Sequence, residues 1–61
     1  MYRRLAALLQ AAGCEFRRQG KGSHEIWWSP ITQRNFVVPR NLSNTPLANA
    51  ILKQGGLPKA F

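Results

Sequence analysis

Sixty-one residues carry nine Lys and Arg against two Asp and Glu, for a formal charge of +7 and a pI near 11.4. That length predicts one small domain over residues 1–61, since two independent cores need roughly 100 residues or more. A 44% hydrophobic fraction with two Trp, three Phe and one Tyr is more than a disordered segment carries, so the chain should fold.

A single cysteine, Cys14, rules out an internal disulfide, and one Cys with one His cannot fill a four-ligand zinc site. No metal and no cofactor are therefore expected. The longest uninterrupted apolar run, residues 5–9, is far short of the ~20 residues that cross a bilayer. Met1-Tyr2-Arg3-Arg4-Leu5 has the positive flank of a signal peptide, but Gln10 breaks the apolar stretch. Removing a transit peptide would leave too little chain to fold. A cytoplasmic protein without membrane association is the expectation. Its charge favours polyanions: nucleic acid first, an acidic membrane surface or acidic protein second, with solubility alone as the plainer explanation.

Along residues 2–12, Leu5, Leu8, Leu9 and Ala12 recur at helical spacing, and Gly13 stands where a helix commonly ends. Residues 14–19 alternate, with Cys14, Phe16 and Arg18 on one side. Gly20-Lys21-Gly22-Ser23 reads as a turn. A second alternating run over 24–29 sets His24, Ile26 and Trp28 on one face and Glu25, Trp27 and Ser29 on the other, until Pro30 ends it. The parity shared with Ile26 predicts Trp28 in the core and leaves Trp27 for stacking. Residues 35–38 form a third strand closed by Pro39. The short connections imply an antiparallel meander.

A final helix is predicted with Thr45 as N-cap, Pro46 at its first position and a stripe of Leu47, Ala50 and Ile51 broadened by Leu52. Gly55-Gly56 ends it, and Leu57-Pro58 can fold back on it. The order α-β-β-β-α predicts an α+β fold, a three-stranded antiparallel sheet with two helices on one face.

Arg17, Arg18, Lys21, Arg34 and Arg40 lie in or beside the strands. With Trp27 and Trp28 among them, the mixture suits phosphates and stacked bases. A simple hairpin register lets Arg17 and Trp27 share a face. The turn at Gly22-Ser23 exposes backbone N–H groups able to hold a phosphate, and Lys21 adds a point charge. His24 follows at once, at a strand start, so the sheet fixes its position. Its imidazole can exchange a proton near neutral pH and serve as base for a ribose 2′-hydroxyl or acid for a leaving 5′-oxygen; a structural role for this lone His is the competing reading. Ser23 and His24 are too close in sequence for a nucleophile–base pair, Glu15 and Glu25 form no recognisable carboxylate pair, and Gly20-Lys21-Gly22 lacks the helix of a dinucleotide loop. Cys14 reads as a small core residue.

Gly13, Glu15-Phe16-Arg17-Arg18-Gln19, Lys21-Gly22-Ser23-His24, Val37-Val38-Pro39-Arg40, and Leu47 with Ile51-Leu52-Lys53-Gln54 before Gly56-Leu57 together resemble the HicA toxin family over nearly the whole chain. The resemblance implies a double-stranded-RNA-binding-domain-like fold and an mRNA-cleaving toxin of a bacterial toxin–antitoxin pair. It places the family's catalytic His at His24 and names a HicB-type antitoxin as protein partner. Two positions depart from the family pattern: Gly20 makes the turn one residue longer, and Asn41 follows Arg40 where members often have His.

These readings converge on a metal-independent endoribonuclease with His24 as general acid/base. Lys21, Gly22, Ser23, Arg17, Arg40 and Trp27 are expected on the RNA. A non-catalytic basic RNA-binding module is the alternative, and a basic dock for an acidic partner the third reading.

Overall fold

Leu5 and Leu9 bury fully on the inner side of a first helix, α1 (Tyr2–Ala11), while Arg3, Arg4 and Gln10 stay exposed. The computed structural model describes residues 1–61. Gly13 (φ +90°) ends α1 in a left-handed turn, with Cys14 N–H donating to Leu9 O at 2.9 Å and Gly13 N–H to Gln10 O at 2.9 Å. This double closure brings the buried Cys14 under Leu9. Cys14 is a core residue, as expected.

Three strands follow, β1 (Glu15–Gln19), β2 (His24–Ser29) and β3 (Arg34–Pro39), paired antiparallel in the order β1-β2-β3. The meander and the α-β-β-β-α order are as the sequence predicted. β3 is one residue longer at each end than the predicted 35–38, and β1 begins at Glu15 rather than Cys14.

Two assignments of side chains to faces are corrected. Trp27, not Trp28, is the core tryptophan: it is 2% exposed, beside buried Glu25 and Ser29 on the helix-covered face of β2. Trp28 is only half-buried and shares the open face with His24 and Ile26. The hairpin register is not simple either. Phe16 pairs with Trp27 but Arg18 pairs with Ile26, so Arg17 sits in a β-bulge. The extra residue flips the parity of β1 midway. Phe16 therefore lies edge-on to Trp27, with ring centroids 6.3 Å apart, whereas Arg18 is carried to the open face.

The last helix, α2 (Thr45–Gln54), is capped by Asn44, whose Oδ1 accepts the Leu47 N–H at 2.7 Å. Thr45 is thus the first helical residue rather than the cap. Its buried stripe is Ala48, Ile51 and Leu52, with Leu47 and Ala50 exposed; the shifted start rotates the inward face from that predicted. At the other end Leu57 N–H donates to Leu52 O (2.8 Å) and Gly56 N–H to Lys53 O (2.9 Å), repeating the closure that ends α1. Gly56 is needed there twice over: its φ is +87°, and a Cβ would lie 2.6 Å from Ile31 Cγ2.

Both helices pack on one sheet face. Leu5, Leu9, Cys14, Trp27, Phe36, Val38, Leu42, Ala48, Ile51 and Leu52 form the core, each large side chain contributing roughly 1.5–3 kcal/mol of burial. Buried Ser29 is satisfied, its Oγ donating to Gly55 O at 2.6 Å and accepting Ile31 N–H at 3.1 Å. Asn49 on α2 holds the C-terminal segment through the Ala60 and Phe61 backbone, and the Arg4 guanidinium covers the Phe61 ring at 4.8 Å. No helix is long and apolar enough to cross a membrane.

Candidate functional site

His24 opens β2 with its side chain exposed on the uncovered face of the sheet. Its backbone is held on every side. Its N–H donates to Lys21 O (3.1 Å), closing a turn whose Gly22 adopts φ +62°. Its carbonyl accepts from Gly20 N–H (2.8 Å) and from Gln19 Nε2 (3.0 Å), and the same amide reaches Gly22 O at 2.9 Å. Across the sheet His24 pairs with Pro39.

Gly20 completes the ladder, its N–H donating to His24 O, and leaves the turn from Lys21 to His24 tight. A Cβ on it would come within 3.0 Å of His24 O. The unpaired residue of the hairpin is Arg17, well away from the imidazole. His24 is therefore presented by a rigid strand end.

The Lys21, Gly22 and Ser23 N–H groups donate to no protein acceptor, and the turn that carries them is exposed or half-exposed. Unpaired amides beside a Lys ammonium are groups of the kind that can hold an anion. The loop after β3 closes one side: Arg40 N–H donates to Ser23 O at 2.8 Å, and Ser23 Oγ lies 3.2 Å from Asn41 Oδ1. Asn41 thus supplies a polar group beside the His24 turn.

Lys21, Gly22, Ser23 and His24 are consecutive along the turn, and the Arg40 backbone joins them. The Arg40 side chain does not join them. Its Nε lies 3.6 Å from Glu25 Oε2 and its guanidinium 5.9 Å from the Tyr2 ring, on the helix-covered side. Arg17 lies toward the far end of the sheet, its guanidinium 4.9 Å from the centre of the Trp28 ring. Trp27, buried, offers no face for a base. Trp28 is the half-buried aromatic of the open face, where the sequence predicted a core residue; its neighbour Ile26 gave it a core-like parity.

Behind the site, buried Glu25 joins three elements. Its Oε1 accepts Tyr2 Oη–H at 2.6 Å and Trp27 Nε1–H at 2.9 Å, while Oε2 faces Arg40. Burial first, then the Glu25 hydrogen bond and the Glu25 charge, push the Tyr2 phenol from 10.0 up to about 12, against an opposing pull from Arg40. The fold thus favours the protonated phenol. Its stabilisation is complete below pH 10 and is lost as pH rises through about 12. In urea titrations the parent protein should lose stability over that interval more steeply than Tyr2→Phe. Parallel curves would refute the linkage.

His24 has no carboxylate partner. Of the two acids in the chain, Glu25 points to the opposite face, and Glu15 pairs with Trp28, four residues along β2. No three His, Cys, Asp or Glu side chains gather into a metal-binding group.

The chain is a small, strongly basic α+β protein with an exposed imidazole mounted on its sheet beside a lysine-bearing turn. The family model for the HicA toxin of bacterial toxin–antitoxin systems matches residues 2–57, and the chain belongs to that family. No curated protein and no solved structure matches it. Membership makes it the toxin of a toxin–antitoxin system, a family whose members are generally ribonucleases.

Proposed function

We propose that this toxin is an mRNA endoribonuclease that needs no metal and uses His24 as its general acid/base. The observation that carries the proposal is the placement of the chain's one imidazole: exposed, on a fixed strand end, beside three undirected backbone N–H groups and Lys21. A phosphodiester held by the turn would sit next to the ring. His24 takes the proton of the adjacent ribose 2′-hydroxyl; the 2′-oxygen attacks phosphorus; the bond to the 5′-oxygen breaks, and water supplies the leaving group's proton. Lys21 and the amides of Gly22 and Ser23 offset the charge that builds on the pentacoordinate phosphorus. With Arg40 engaged by Glu25, these groups carry the electrostatic work.

The protein partner that follows is a HicB-type antitoxin covering His24 and the surrounding cations, and mRNA as substrate places the activity in the cytoplasm. Product ends test the chemistry. A 2′,3′-cyclic phosphate and a 5′-hydroxyl, formed equally in EDTA, are expected. A 5′-phosphate, or inhibition by EDTA, refutes the route. Salt-sensitive RNA retention without scission assigns a binding module instead.

A further inference from the structure

The open face of the sheet continues past His24 as a built surface. His24, Ile26 and Trp28 form one row along β2, Val37 lies opposite Ile26 on β3, and Arg18 lies opposite Ile26 on β1. Val37 is 43% exposed and Trp28 half-exposed, so no helix covers this face. The Arg17 guanidinium rests 4.9 Å from the Trp28 ring centre because the β-bulge turns it there. Its other contact is weak: Glu15 at 3.7 Å, with both side chains about half exposed. Such a pair is worth little in water, so the guanidinium is readily released.

We propose that Trp28 and Arg17 form a nucleobase subsite for single-stranded RNA, occupied by a nucleotide beyond the immediate neighbour of the one cleaved at His24. A base replaces the guanidinium on the indole face, and Arg17 moves to that nucleotide's phosphate. Four residues of strand separate Trp28 from His24, roughly 13 Å at 3.3 Å per residue, which an extended strand of RNA spans from the His24 turn. Charge favours a polyanion here: Arg17 and Arg18 flank the row, and Glu15 is its one acid. Stacking on a flat aromatic with a neighbouring Arg suits a splayed, unpaired base and excludes a paired one. This assignment rests on the nuclease reading for its register, though not for the stacking itself.

Tryptophan fluorescence of the His24→Ala protein, which should leave RNA uncut, reads the site directly, because Trp27 is buried and Trp28 is not. A short single-stranded oligo(A) should quench the emission, and an abasic oligomer of equal length, with phosphates but no bases, should not. Adding Trp28→Ala should weaken oligo(A) binding roughly 5- to 100-fold, toward the abasic level, whereas Trp28→Phe should stay within a few-fold. Circular dichroism checks the fold of each variant, and Arg17→Ala gives a second, smaller loss of affinity.

Equal oligo(A) affinity with and without Trp28 overturns the subsite, as does equal quenching by the abasic oligomer. Unchanged oligo(A) binding together with lost antitoxin binding in Trp28→Ala reassigns the face to the protein partner and also overturns it. The parent protein's cleavage assay separates the two claims. Cleavage with no Trp28-dependent binding sinks the subsite alone; Trp28-dependent binding with no cleavage sinks the nuclease reading alone.

Discussion

His24→Ala is expected to lower RNA cleavage by roughly 10²- to 10⁴-fold, the usual range for a positioned general acid/base, while thermal stability and RNA affinity stay close to the parent values. The side chain is exposed and accepts no load from the core, so its removal opens no cavity. The hydrogen bonds that shape the turn use the His24 backbone and survive the substitution. Lys21→Ala should behave differently, weakening RNA binding as well as cleavage, because its charge acts on the phosphate in the ground state too. A single-turnover assay with separately measured binding distinguishes these outcomes. Full activity in His24→Ala would remove the imidazole from the mechanism, and an unfolded variant would return it to a structural role.

The largest stability effect should come from Glu25. This carboxylate is 5% exposed and is the shared acceptor for Tyr2 Oη–H and Trp27 Nε1–H, with Arg40 beside it. Glu25→Ala leaves a buried indole N–H and a phenol without their acceptor and opens space between α1 and β2. Removing one partner of such a buried network costs about 3–5 kcal/mol, comparable with the ~3–5 kcal/mol that a core of this size supplies. The variant should be largely unfolded at room temperature. Glu25→Gln keeps an amide oxygen for both donors and loses only the charge facing Arg40, so it should fold with a smaller loss. Chemical denaturation of the two variants measures the difference; equal stability of Glu25→Ala and the parent would show that the network contributes nothing. Because Arg40 N–H also holds the Ser23 carbonyl, this network links core integrity to the shape of the His24 turn.

The motifs at the turn were legible in the chain because they are local. Gly22 next to Ser23 and His24, with a strand of period two behind them, leaves few ways to present the imidazole, and the structure presents it outward. The contact of Arg40 with Glu25 was not legible because its neighbours in sequence say nothing of a residue fifteen positions earlier on another strand. The expected shared face of Arg17 and Trp27 failed because a β-bulge has no signature in an alternating run such as 15–19; only the pairing with β2 reveals it. The cap of α2 moved by one residue because Asn44 and Thr45 are both competent caps, and the Asn44 carboxamide is the one that reaches Leu47 N–H.

Sequence by itself determined the element order, the helix stops at Gly13 and Gly55-Gly56, the basic character and the family to which the chain belongs, since each rests on periodicity, turn chemistry or contiguous motif. Tertiary packing alone decided which face of β2 is covered. Alternation divides residues 24–29 into two sets but gives neither a direction when both contain a tryptophan. The choice fell to the set with Trp27 because Glu25 and Ser29 find partners there, in Tyr2, Trp27 and Gly55. That leaves His24 and Trp28 together on the uncovered side of the sheet.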